Sequence, residues 1–158
     1  HLPPLLRHSD ERVQKAAVAA TTESRSHARS LVFAEALPYL QPHTQEEVFA
    51  DLLYLKDPAA IPALERFIFQ DAQGKTKLLI MAVQALAAIP GSRVERLLSN
   101  ILADSSLDAK VRRIAMVALT RSDTATSTKA MQEFIGSSPQ DPMALECERT
   151  LKAMGRTI

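Results

Sequence analysis

Lys75 and Lys77 are followed, one repeat of about 33 residues later, by Lys110, with Arg112 and Arg113 beside it. Brought to one ridge, these five side chains would offer repeated positive charge to an acidic protein segment or to phosphates. The competing reading is a solvated face at helix N-termini, where cations oppose the macrodipole. Arg93 and Arg96 fall on the preceding kind of helix and are expected to face the other side. Tyr39, set between Pro38 and Pro42, marks a candidate exposed contact for a partner.

The remaining reactive side chains do not assemble into a catalytic pattern. His1, His8, His27 and His43 are irregularly spaced, whereas a metal site needs three or four converging ligands. Cys147 has no histidine near it in sequence to activate a thiol, so it reads as a small apolar side chain in a packed seam. Glu46 and Glu47 are adjacent, and Glu146 and Glu148 are two apart; on a helix the members of such pairs point in different directions. Phosphate-loop, zinc-protease and nucleophile-elbow motifs are absent from the sequence. No catalytic residue, metal or cofactor is expected, and the residues point to a binding protein.

The elements that would carry these side chains come from an internal repeat. Val111, Ala115, Ala118 and Leu119 are matched one period earlier by Leu78, Ala82, Ala85 and Leu86. They are matched one period later by Met143, Cys147, Thr150 and Leu151, and three periods earlier by Val13, Ala17, Ala20 and Thr21. The copy around Val48 to Leu55 fits loosely, since the step to it from Val13 is longer than the period and the step from it to Leu78 is shorter. Between these lies a leucine-rich set: Ile61, Leu64 and Ile68, then Val94, Leu97 and Ile101, then Ser127, Ala130 and Phe134. Two helix types alternate, so the unit is a helical hairpin, and each hairpin buries its faces against its neighbours.

Punctuation places the ends. Asp57-Pro58 and Asp141-Pro142 are cap-plus-proline starts, Thr44-x-x-Glu47 and Ser92-x-x-Glu95 have capping-box form, and Ser106 or Asp108 can cap the next helix. Pro42, Gly74, Pro90-Gly91, Gly136 and Gly155 read as stops. The expected helices are 2–7, 10–23, 26–39, 44–56, 59–70, 76–89, 92–104, 108–121, 125–135 and 141–154, with a kink at Pro62. Phe33, Phe49, Phe67 and Phe69 are assigned mostly to the core, and Tyr54 with them.

Composition agrees with closely packed helices. Of 158 residues, 46% are hydrophobic but only 4% aromatic, there is no Trp, and Gly occurs four times. A net charge of +1 gives no global field toward nucleic acid or an anionic membrane. One cysteine excludes an intrachain disulfide and suits a reducing compartment, so the cytoplasm is the expected location. No apolar run reaches the roughly 18 residues of a membrane span. The chain opens on His1 and a short Leu2–Leu6 stub, which reads as a single domain over 1–158, either a fragment cut from a longer array or one with a worn terminal repeat; whether the parent is membrane-attached or exported is open at this point.

Asp108-x-x-Val111-Arg112-x-x-Ala115, Ser9-Asp10-Glu11-Arg12-Val13-x-x-Ala16-Ala17 and Asp57-Pro58-Ala59-Ala60-Ile61-Pro62-Ala63-Leu64 resemble the HEAT-like repeats of bacterial proteins and phycobilisome lyases. The resemblance covers nearly the whole chain. It implies an all-α, right-handed α–α superhelix, a HEAT/ARM-like solenoid of about five hairpins. It also implies a scaffold that binds a protein or peptide along its concave face. A minority of the family act on bilins, DNA or other ligands, so the alternatives for this chain are a lyase-like or glycosylase-like enzyme or enzyme subunit, or a regulatory or spacer domain of a larger protein. The missing Trp, near-neutral charge and lone seam cysteine argue against a glycosylase-like or lyase-like enzyme. In the family pattern an aspartate before the second helix and an arginine inside it form a ladder between repeats. Here Asp10 and Asp108 keep the acid, Arg112 keeps the base, and Gln14 stands in the arginine's place, which implies a broken ladder.

Overall fold

The computed structural model describes residues 12–15, 27–72 and 74–156. The predicted helix 2–7, most of 10–23, His1, His8 and the alanines of the first copy lie outside them. All regular structure among the described residues is helical. The chain divides into two compact units, His1–Pro90 and Gly91–Ile158.

In the N-terminal unit, residues 12–15 are helical, followed by α1 (His27–Ala36), which tightens into a 3-10 turn at Leu37–Tyr39. Then come α2 (Pro42–Leu55), a 3-10 turn at Pro58–Ala60, α3 (Ile61–Arg66) and α4 (Thr76–Ala87). Pro42 is not a stop: it occupies the first turn of α2, where a missing N–H costs nothing. The Thr44/Glu47 capping box does not form, because Thr44 is fully buried within that first turn. Pro62 likewise sits in the first turn of α3 and so causes no interior kink. The irregularity lies after it, where Phe67–Asp71 widen into a π-helix closed by Ala72 N–H donating to the Phe67 carbonyl. Phe49 of α2 stacks on Phe67 with centroids 4.9 Å apart, which fills this part of the core. Phe69 is half-buried, and Tyr54, expected inside, is 80% exposed.

The C-terminal unit contains α5 (Ser92–Ala103), α6 (Ala109–Ser122), α7 (Ala125–Ser137) and α8 (Pro142–Ala153). The first helices α5 and α7 pack together, as do the second helices α6 and α8, giving two layers within the unit. Gly91, at φ 128, precedes Ser92 as a cap without a side chain, so the Ser92/Glu95 box is not made either. Glu95 instead accepts from the Thr124 hydroxyl at 2.8 Å, and Thr124 with Ser127 forms the capping box that opens α7. Arg156, beyond α8, donates to Thr128 Oγ1 and pairs with Asp123, tying the end of the last helix to the start of α7.

The second helices of the two units share a register. Their caps are Gln41, Lys75, Asp108 and Asp141, which recur at an interval constant to within a single position. Counted from the cap, α2, α4 and α6 bury positions 3, 4, 7, 8 and 11: Thr44, Gln45, Val48, Phe49 and Leu52 in the first of them. The loose second copy is therefore regular once Val48 is matched to Ala82 and Ala115 rather than to Leu78 and Val111. Aligning on large apolar residues displaces it by one helical turn, because polar Thr44 and Gln45 occupy core positions.

Candidate functional site

The basic ridge comes apart into three kinds of residue. Arg112, the fourth residue after its cap, points into the core and is buried. Its Nε donates to the Leu102 carbonyl of α5 at 2.8 Å, and Nη1 and Nη2 donate to the two carboxylate oxygens of Asp141 at 3.3 and 2.5 Å. The guanidinium also lies over the Phe134 ring, 5.7 Å from its centroid. Arg112 is thus withdrawn from any exposed surface. It joins three helices, and its planar fork suits this, since one head group satisfies a carbonyl and a carboxylate together.

Asp141 does two jobs, because the Oδ1 that receives Arg112 also accepts from the Met143 N–H at 2.9 Å and caps α8. Its carboxyl is held below the ordinary aspartate range by the Arg112 hydrogen bonds, against the opposing effect of burial. In the sequence Asp141 reads as a cap only. The signal that it is also Arg112's partner is that Asp108, the cap of α6, stands one full repeat before it.

Arg113 and Lys77 form a second kind. Arg113 makes a two-pronged pair with Glu146, at 2.9 and 2.8 Å, linking α6 to α8. Lys77 pairs with Glu46 at 2.7 Å, linking α4 to α2. Arg113 holds the Glu146 carboxyl low, as Lys77 does that of Glu46. Lys75 and Lys110 are the third kind. Both are exposed at the starts of second helices and form no ion pair among the described residues. Tyr39 is half-exposed at 53%, and its carbonyl accepts from Gln14 Nε2 at 2.9 Å.

The same joint is built without charge in the N-terminal unit. Gln14, at the arginine's place in the first copy, is fully buried and accepts from the backbone N–H of Gln41, the cap of α2, at 2.9 Å. Gln45, the fourth residue after that cap, donates to the Leu37 carbonyl at 3.0 Å, as Arg112 does to Leu102. Gln14 and Arg112 thus join helices from the same place, but only Arg112 does so through an aspartate, and Gln14 bonds to backbone groups. Leu79 is the corresponding residue of α4 and is buried.

Cys147 lies fully buried on α8, and burial pushes its thiol up to about 12, so thiolate chemistry is suppressed. No group of three or more His, Cys, Asp or Glu side chains among the described residues could hold a metal ion. None of their helices is long and apolar enough to cross a membrane. Set against family models, curated proteins and solved structures, the chain matches none.

Proposed function

We propose that this chain is a non-catalytic scaffold, a HEAT-like solenoid that binds a protein or peptide along its second helices. The observation that carries the reading is the shared register of those helices. Because their caps recur at a nearly constant interval over the same buried positions in α2, α4 and α6, the same outward positions recur too. A repeated outward face is what such arrays offer on their concave side. The reactive groups support it indirectly. Arg112, Asp141, Arg113, Glu146, Lys77 and Glu46 are engaged in joining neighbouring helices, and Cys147 is closed off.

The test is selection of random displayed peptides on the immobilised chain. A recovered consensus should lose affinity on substitution of outward second-helix residues such as Val117 and Leu145. It should tolerate substitution of Lys129 and Glu133 on the first helix α7. Failure to recover any consensus, or sensitivity confined to α7, would overturn the proposal.

A further inference from the structure

We infer that the outward face of α6 and α8 receives an acidic segment of a partner protein that carries apolar side chains. The inference rests on the scaffold reading and adds the place and the partner's chemistry. Helix α6, Ala109–Ser122, contains Lys110, Arg112, Arg113 and Arg121 and no acidic residue. With Arg112 buried, the other three share one exposed stripe with Val117, each about one helical turn from the next. On α8 the buried set Met143, Ala144, Cys147 and Leu151 lies one residue closer to the cap than in α6. That offset, a rotation of about 100° relative to the cap, turns Leu145 out to solvent, with Arg149 one turn further on.

Two properties make this face selective. Arg113 is engaged by Glu146, but Lys110, Arg121 and Arg149 form no ion pair among the described residues, so the face keeps an excess of positive charge. Val117 and Leu145, 40% and 51% exposed, are the large apolar side chains most exposed among the described residues of this unit, and both lie here. Cations interleaved with aliphatic side chains complement an acidic amphipathic segment, which gains from both. Phosphates would gain nothing from Val117 and Leu145 and would meet Glu146. The N-terminal unit differs, since α2 presents His43, Glu46, Glu47, Ala50 and Tyr54 outward and binds Lys77 through Glu46.

The experiment is an NMR titration of the isotope-labelled full chain with three probes. These are a synthetic peptide of alternating glutamate and leucine pairs, its lysine–leucine counterpart, and a DNA duplex. The glutamate peptide should bind at least about tenfold more tightly than the lysine peptide and shift amides of α6 and α8. A K110E/R121E/R149E variant should lose about tenfold in affinity, and V117S/L145S should weaken binding with every charge retained. Both variants change exposed positions, and unchanged helical circular dichroism checks their fold. Shifts confined to the N-terminal unit, no preference between peptides, no binding of the glutamate peptide, or tighter binding of DNA would each overturn the inference. The scaffold reading fails separately, through the random-peptide selection.

Discussion

Replacing Asp141 by asparagine removes one charge from the Arg112 joint and leaves the cap of α8 in place, because asparagine caps as well as aspartate. The side chains of Arg112 and Asp141 are 8% and 14% exposed, so the cation cannot turn to water when its partner is neutralised. Breaking a buried pair costs about 3–5 kcal/mol, and an asparagine oxygen recovers part of this by accepting one hydrogen bond from the guanidinium. A net loss of about 2 kcal/mol is expected at neutral pH, which for a unit of this size lowers the melting temperature by roughly 10 °C. Asp141→Ala should cost about 1 kcal/mol more, since the cap goes too. Arg112→Met with Asp141→Asn should recover much of the loss, because an apolar replacement leaves no orphaned charge.

The assay must report on the C-terminal unit. The chain has no Trp, and both tyrosines, Tyr39 and Tyr54, precede Pro90, so fluorescence reports elsewhere. Amide hydrogen exchange in α6 and α8 reads the change directly. The pH dependence has a fixed sign. Asp141 is held below its ordinary value of 3.8, so its contribution is present above that value and is lost as pH falls through the lower folded value. The gap between wild type and Asp141→Asn should close in acid over that window. An Asp141→Asn protein as stable as wild type at pH 7, or a gap independent of pH, would refute the assignment of the joint.

Further outcomes turn on single residues. Thr44 is fully buried and its hydroxyl has no partner among the described residues, so Thr44→Val should stabilise the N-terminal unit by about 1 kcal/mol in urea unfolding followed by tyrosine fluorescence. A comparable loss would mean that the hydroxyl is satisfied. Cys147 should resist an aromatic disulfide reagent in the native chain and react once the chain is unfolded, as thiol absorbance assays read directly. Arg113→Ala should lower the thermal unfolding midpoint by circular dichroism far less than Asp141→Ala does, since its pair with Glu146 is solvent-facing, in contrast to the Arg112 joint.

Helix positions were largely legible in the sequence, because apolar periodicity and cap chemistry act locally. The expected helices 76–89, 92–104 and 125–135 differ from the observed ones by at most two residues at either end. What failed was anything dependent on which face a polar residue took. Thr44, Gln45, Gln14 and Arg112 are surface residue types by composition, yet all four are buried. Thr44 and Gln45 at core positions hid the register of α2. Arg112 looked like a ridge cation because its partners are the Leu102 carbonyl and Asp141, ten and 29 residues away. A carbonyl acceptor leaves no trace in sequence, and Asp141 already had a sufficient reason to be there as a cap. Of the proposed contacts, Lys75, Lys77, Lys110, Arg113 and Tyr39 are exposed, whereas Arg121, Arg149 and Leu145 were passed over. Arg121 and Arg149 lie far along their helices from the N-terminal cluster, and Leu145 is exposed only because α8 is rotated by one residue.

The buried Arg112–Asp141 joint of the C-terminal unit is distinct from the outward face proposed to bind. The most direct measurement is the affinity of one selected peptide for two variants of the full chain, R112M/D141N and K110E/R121E/R149E, by titration calorimetry. Affinity should be unchanged in the first and fall at least about tenfold in the second. Loss of binding in R112M/D141N with its fold intact, or full binding by K110E/R121E/R149E, would contradict that distinction.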